Sequence, residues 1–170
     1  MRLSLREKPV LKSVVYLLVC ILILLFSYSF LPVLRISKCT PTLLVAVVSS
    51  LAYFEGAKYA SFFALIFSVI ETVMLGTNTL IFPLFYTVFA IVCTWLFESF
   101  FVRNYLAWLC YTLGGLIIHA ILSLFAPVAN WGIGAGAIIL ENVFPSFVMS
   151  ALLSLLIYPA FKSLKIKTDK

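Results

Sequence analysis

The sequence predicts an all-α integral membrane protein, and three observations support that class. Hydrophobic residue types make up 64% of the 170 residues and charged types 11%, against about 45–50% and about 25% in soluble domains. The apolar residues fall in six runs, separated by short segments rich in Gly, Asn and Pro. The runs lack the alternation of a β-barrel, and lipid-embedded backbone must be satisfied internally, so each run is predicted to be a helix. An ordinary soluble enzyme and a disordered chain are excluded.

The first run is predicted to be an uncleaved helix. It follows four basic residues, as in a signal peptide, but it is too long for one and has no small-residue cleavage site after it. A helix that crosses the hydrocarbon core needs roughly 20 apolar residues, and turn residues separate each run from the next. The predicted helices span residues 14–34, 40–54, 59–75, 79–97, 105–126 and 142–161, within one membrane domain of residues 1–170.

The second run is the shortest, with apolar residues only from Leu43 to Phe54. Twelve residues rise only about 18 Å in a helix, which is too little to cross the membrane alone. A start near Thr40, local thinning of the bilayer or a re-entrant course would each accommodate this run. Its spacing alone leaves the three alternatives open.

The basic residues indicate how many crossings the chain makes. Four precede the first run and four follow the last, and basic segments stay in the cytoplasm. Two cytoplasmic ends require an even number of crossings, so six fits and five does not. Ten of the twelve Lys and Arg residues then lie inside, with only Arg35 and Lys38 outside. This explains the net charge of +6 without nucleic acid and predicts contact with anionic lipid. A C-terminal reporter active only outside the cytoplasm would exclude this topology.

Glu71 is the clearest candidate for an interaction site, because an ionisable group at membrane depth is unfavourable. It lies in the third run on a stripe of small and polar residues with Ser61, Ala64 and Ser68. Such a face suits close helix contact, so we expect Glu71 and Ser68 to face protein. Glu71 is then either a ligand, proton or partner site, or an acid that is hydrogen-bonded to neighbouring helix ends.

Two further polar features lie in the fifth and sixth runs. His119 has no second ligand at metal spacing, which favours a packed, hydrogen-bonded histidine over a metal ligand. Ser146, Ser150 and Ser154 recur at intervals of four. They form a seam of small residues that permits another helix to approach closely, and we include them with His119 among the candidate interaction residues.

Motifs for catalysis, metal binding and nucleotide binding are not evident in the sequence. Cys20, Cys39, Cys93 and Cys110 have no C-x-x-C spacing, so they do not indicate zinc or haem. The glycine-rich segment 131–136 lacks the Gly-Lys-Ser/Thr of a P-loop. No serine has a base at a spacing that would make it a nucleophile. We therefore expect a non-enzymatic protein without metal or cofactor.

Residues 41–161 contain a series of prolines, glycines and one acid at the ends of the apolar runs, and we call these positions the fixed points. A proline opens the second run, a glycine turn follows it, an acid and a glycine close the third run, and prolines stand at both ends of the last. They are Pro41, Gly56, Glu71, Gly76, Pro145 and Pro159. In this pattern the chain resembles the MreD family, the small membrane subunit of the bacterial rod-shape (elongation) complex. It departs from the family where Glu71 replaces the usual aspartate and where the third run lacks the family's glycines.

The resemblance implies a six-helix fold related to the substrate-binding subunits of energy-coupling-factor vitamin transporters. It implies a multi-pass subunit of the bacterial inner membrane that supports rod shape and peptidoglycan synthesis. The implied partners are the bitopic scaffold MreC, the glycosyltransferase RodA with its transpeptidase partner, and MreB filaments. The alternative is a substrate-binding membrane subunit of a vitamin transporter, with an outer pocket lined by Glu71, Asn78, Trp131 and Asn142.

Overall fold

The computed structural model describes residues 9–27, 41–74, 80–99, 104–131 and 143–168, and none of these ranges contains a strand. The all-helical class is therefore confirmed for the described part of the chain. The helices, in chain order, are α1 (Pro9–Leu25), α2 (Leu44–Glu55), α3 (Ala57–Met74), α4 (Ile81–Ser99), α5 (Tyr105–Trp131) and α6 (Phe144–Thr168).

Large apolar side chains cover the outside of the bundle on α1 and on α3 to α6. A soluble protein rarely exposes so much contiguous apolar surface. Within the described residues, three helices are long and apolar enough to cross a membrane, over Ile81–Ser99, Tyr105–Leu124 and Phe144–Leu164. Both features are those of a membrane protein. The most exposed large apolar residue of each of these five helices is 66–74% accessible, and these residues are Leu22, Val73, Leu84, Leu106 and Leu156.

Helix α2 lies at the centre of the bundle. Every residue from Leu44 to Tyr53 is buried, and α3, α4, α5 and α6 all pack against it. A helix without a broad polar face is expected in such a position. Its twelve residues rise only about 18 Å. Because protein and not lipid surrounds α2, its shortness leaves no polar backbone exposed to hydrocarbon.

Gly56 alone separates α2 from α3. Its backbone has φ 86° and ψ 179°, a conformation that glycine adopts readily and that strains other residues. The Gly56 carbonyl accepts a hydrogen bond from the Ala60 N–H at 3.1 Å, so α3 starts directly after the turn. The predicted break at residues 55–58 is thus present, but it is only one residue long.

The first turns of α1 and the last turns of α6 lie at the same end of the bundle. Tyr16 of α1 stacks on Phe161 of α6, with ring centroids 6.1 Å apart. The Tyr16 hydroxyl donates to Glu55 Oε1 at 2.7 Å, directly beside the turn at Gly56. Helix α1, the α2–α3 turn and the end of α6 therefore meet, and we call this region the Gly56 end.

Several predicted helix boundaries are wrong, and proline explains two of the errors. Helix α1 is already present at Pro9, the first described residue, and so begins before the predicted residue 14. The predicted end of that helix at residue 34 lies outside the described residues. Helix α2 begins at Leu44 and not at residue 40, since the residue before Pro41 is disfavoured in a helix.

The last two helices are longer than predicted. Helix α5 continues past residue 126 through Pro127 to Trp131, and α6 continues past residue 161 to Thr168 with Pro159 inside it. An internal proline removes one backbone hydrogen bond. Membrane helices tolerate this loss because neighbouring helices and local adjustments satisfy the freed groups. Pro127 therefore does not end α5, although the predicted end at residue 126 implied that it would. The predicted end of α6 at residue 161 followed the end of the apolar run and already lay beyond Pro159.

Gly115 lies at a close approach of α5 to α2 and α4. A Cβ atom at this position would lie 2.8 Å from Val45 Cγ1 of α2 and 2.6 Å from Phe89 Cε2 of α4. At the neighbouring Gly114, nothing lies within 4 Å of such an atom. Packing therefore requires glycine at position 115 and not at position 114.

We expect Gly115→Ala to lower the free energy of unfolding by about 1–3 kcal/mol, because the added methyl group overpacks the α2–α4–α5 contact. Gly114→Ala is the matched control, and it should leave stability unchanged or raise it by up to about 1 kcal/mol, since alanine favours the helix. Thermal unfolding of both variants in detergent measures the difference. Equal melting temperatures would contradict the close approach.

Candidate functional site

Buried hydroxyl groups join α2 to α5 near the middle of the bundle. Ser49 Oγ and Thr112 Oγ1 lie 2.7 Å apart, and Trp108 Nε1 donates to Ser50 Oγ at 3.1 Å. All four side chains have 0% exposure. Trp108 and Thr112 are four residues apart and so share one face of α5. We call these four residues the α2–α5 polar core.

The hydroxyls of the polar core also bond to backbone carbonyls of their own helices. Ser49 and Ser50 both contact the Ala46 carbonyl, at 3.1 and 2.7 Å, and Thr112 donates to the Trp108 carbonyl at 2.8 Å. None of these described bonds involves a titratable group, which a nucleophilic serine would need. Hydrogen bonds between membrane helices contribute about 0.6 kcal/mol on average. The hydrogen bonds of the polar core therefore serve to hold α2 and α5 together.

The serine seam of α6 faces the interior of its own chain. Ser150 and Ser154 are buried, while Ser146 is half-buried. Ser150 Oγ accepts a hydrogen bond from the Thr42 N–H at 2.8 Å and donates to the Ser146 carbonyl at 2.7 Å. Ser154 Oγ donates to the Ala151 carbonyl at 2.7 Å.

The backbone N–H of Thr42 explains why Ser150 of the serine seam faces the start of α2. It lies two residues before α2, where backbone N–H groups have no helical acceptor, and Ser150 supplies one. Helix α6 also packs against α2 along this side. The predicted close helix approach is thus present, but it is made with α2 of the same chain. A contact of the seam with a partner protein stays a prediction.

Glu71 and Ser68 lie on the buried face of α3, as the stripe predicts. Glu71 is 4% exposed and Ser68 is 0% exposed. Ser68 Oγ donates to the Leu65 carbonyl at 3.0 Å, and the Ser68 carbonyl accepts from Thr72 Oγ1 at 2.7 Å. These two hydroxyls therefore bond within α3.

Glu71 lies at nearly the same depth in the bundle as the start of α2. By helical rise, Glu71 lies roughly 22 Å from the Gly56 turn, and the first turn of α2 lies roughly 18 Å from it. The two helices pack against each other, so the carboxyl group lies near the depth of the positive end of the α2 dipole. This depth favours the structural interpretation of Glu71, and its role as an interaction site stays a prediction.

His119 packs against three aromatic rings of α4. Its ring centroid lies 5.3 Å from that of Phe82, 5.8 Å from that of Tyr86 and 6.3 Å from that of Phe85. The packed environment matches the sequence prediction. A hydrogen bond to the imidazole, which the sequence also predicted, is not among the contacts within the described residues.

An aromatic cluster fills the Gly56 end, and the sequence pattern did not predict it. Tyr158 of α6 is at its centre, and the ring centroids of Tyr53, Phe54, Tyr105 and Trp108 lie 4.8–5.8 Å from it. Each such aromatic pair contributes about 0.5–1.5 kcal/mol beyond the area it buries. The members come from three different helices, so no spacing within one run could reveal the cluster.

The α2–α5 polar core was also missed, although the sequence carried a signal for it. Ser49 and Ser50 interrupt an otherwise apolar run, and Trp108 and Thr112 have the spacing of one helix face. Adjacent hydroxyls in the middle of a membrane helix indicate partners on another helix. The identity of that other helix depends on the packing and not on the spacing.

Within the described residues, no group of three or more His, Cys, Asp or Glu side chains could hold a metal ion. Cys20 and Cys93 are buried free thiols and Cys110 is an exposed one, while Cys39 lies outside the described residues. Of the four residues predicted to line an outer pocket, Glu71 alone has a described side chain. The others, Asn78, Trp131 and Asn142, have side chains that lie outside the described part.

Comparisons of the chain with models of protein families, with curated proteins and with solved structures found no match.

We expect Ser150→Ala to lower the free energy of unfolding by about 1–3 kcal/mol, because it leaves the Thr42 N–H without its acceptor. Ser154→Ala is the matched control: it lies on the same buried seam, but its described hydrogen bond stays within α6. Its loss should be smaller. Reversible unfolding in mixed micelles measures both variants, and a larger loss for Ser154→Ala would argue against this role of Ser150.

Proposed function

We propose that the chain is a non-enzymatic subunit of the bacterial cell-wall elongation complex, similar to MreD. In this proposal it crosses the inner membrane six times with both ends in the cytoplasm, in a fold related to energy-coupling-factor substrate-binding subunits. It binds the membrane helix of an MreC-type bitopic scaffold and so supports rod shape and peptidoglycan synthesis. RodA with its transpeptidase partner and MreB filaments are further proposed partners. The fixed points along residues 41–161 support this assignment.

The distribution of polar and apolar side chains is the observation that carries the proposal. Hydroxyls such as those of Ser50 and Ser150 hold the chain's own helices together. The outer faces of α1 and of α3 to α6 present large apolar residues instead. A protein with this distribution can act on its surroundings mainly by packing against lipid or against other membrane helices.

The same distribution locates the proposed contact. Because Ser150 and Ser154 are buried inside the chain, a partner helix would have to pack on an outer face and not on the serine seam. Association in lipid depends on close packing more than on hydrophobicity, since lipid tails are as apolar as leucine. The partner should therefore contact one restricted face of the bundle.

Site-specific photo-crosslinking in cells at native expression tests this proposal. Crosslinking residues are introduced at the outward-facing positions Val73, Leu84, Leu106 and Leu156, one on each of α3 to α6, and at the buried control Ser154. We expect a single-span scaffold protein to be captured from one face or two adjacent faces and not from position 154.

Recovery of the chain only as a free monomer, with no crosslink from any outer face, would contradict the proposal. Purified protein that carries a tightly bound vitamin would instead favour the substrate-binding subunit of a transporter.

A further inference from the structure

The outward face of α4 changes from apolar to aromatic to charged towards the last turn of the helix. Steps of three or four residues keep to one side of a helix, and on α4 they connect Leu84, Val88, Ile91, Trp95 and Glu98. The first three are 49–66% exposed, and Trp95 is 63% exposed. The exposed Glu98 follows within one turn. One tryptophan therefore separates an apolar face from an acid that is unfavourable in hydrocarbon.

The outward face of α3 has the same order when it is followed away from the Gly56 turn. Lys58 is exposed at the start of the helix, and Phe62, one turn later, is 62% exposed. Leu65 and Val69 continue this face with exposures of 50% and 43%. Helices α3 and α4 pack against each other. Two adjacent helices thus carry the same order of side chains on their outer faces.

Ring contacts place the last turns of α4 at the Gly56 end. Phe97, two residues after Trp95, has its ring centroid 5.0 Å from that of Tyr53, and Tyr53 lies three residues before Gly56. Tyr105 of the aromatic cluster, the first residue of α5, is 40% exposed at this end. The change of side chains on α3, the change on α4 and an exposed ring of α5 therefore lie at one end of the bundle.

The indole of Trp95 combines a large apolar ring with one polar N–H group. Among the described residues, none accepts a hydrogen bond from this N–H. An N–H group without an acceptor is unfavourable in hydrocarbon. Tryptophan is therefore enriched at the boundaries of a membrane, where its ring meets acyl chains and its N–H meets polar groups of the lipid or water.

We propose that Trp95 lies in the interfacial layer of the lipid bilayer at the Gly56 end. There its N–H donates to the ester carbonyls of phospholipids, and its ring contacts the first part of the acyl chains. Val88 and Ile91 then face hydrocarbon, and Glu98 lies among the headgroups. This inference rests on the proposed membrane placement and not on the identity of a partner protein.

The main alternative is that a second protein covers Trp95. A bilayer boundary imposes the order of charged, aromatic and apolar side chains on every outer face that it meets, whereas a partner helix requires a matching surface on one face only. The order is present on α3 with Lys58 and Phe62 as well as on α4. The repetition favours lipid as the occupant.

Quenching of tryptophan fluorescence by brominated lipids tests the depth of Trp95. The purified full chain is reconstituted in phosphatidylcholine vesicles whose acyl chains carry bromine either near the glycerol or near the terminal methyl group. The fluorescence that the variant Trp95→Phe loses belongs to Trp95, because Trp108 and Trp131 remain in that variant. We expect this share to be quenched more strongly by bromine near the glycerol.

A tryptophan placed deeper on the same face of α4 is the matched control. The double variant Trp95→Phe/Val88→Trp moves the indole by seven residues, which is about 10 Å along the helix. Val88 is itself 49% exposed, so the new ring meets the same surroundings at a different depth. Its fluorescence should be quenched more strongly by bromine near the terminal methyl group.

Three results would overturn the inference. If bromine near the terminal methyl group quenches the Trp95 share at least as strongly, Trp95 lies in the hydrocarbon and not at its boundary. If iodide in the water quenches this share and neither lipid does, Trp95 lies outside the bilayer. If none of the three quenches it, a second copy of the chain covers this face of α4. Because no partner protein is present, this experiment and the crosslinking test of the proposed function can fail separately.

Discussion

Enclosure of α2 by protein is the constraint on which the rest of the structure depends. A helix that meets neither lipid nor water must satisfy its polar groups within the chain. Ser50 on α2 does so with α5, and the Thr42 N–H before its first turn does so with Ser150 of α6. At its other end, Glu55 accepts a hydrogen bond from Tyr16 of α1. One short helix is thereby bonded to three others.

This constraint changes how the polar residues of the sequence are interpreted. In a membrane chain, a serine seam or a buried acid suggests a partner site. Here Ser150 and Ser68 are engaged in bonds within the bundle, so they contribute to the fold before they can contribute to recognition. The surfaces that remain for recognition are the apolar outer faces of α1 and of α3 to α6. These faces fit a subunit that acts by contact with lipid and neighbouring helices.

The sequence was sufficient to predict the helical class, the buried side of α3 and the close approach along the α6 seam. These features repeat within one helix, so the period of 3.6 residues reveals them. The partner of Ser150 and the membership of the aromatic cluster could not be predicted, because they depend on which helices are adjacent. The end of α5 was misplaced because the bundle tolerates Pro127 inside a helix. The end of α6 was misplaced because the helix continues beyond the apolar run into the basic segment after Phe161.

A double-mutant cycle between α2 and α5 tests the central role of α2 most directly. Ser50→Ala removes the acceptor, and Trp108→Phe removes the indole N–H while keeping an aromatic ring. We expect the two losses of unfolding free energy not to be additive, with a coupling of about 0.5–1.7 kcal/mol in reversible unfolding in mixed micelles. Strict additivity of the two losses would contradict the account, because Ser50 and Trp108 would then not hold α2 to α5.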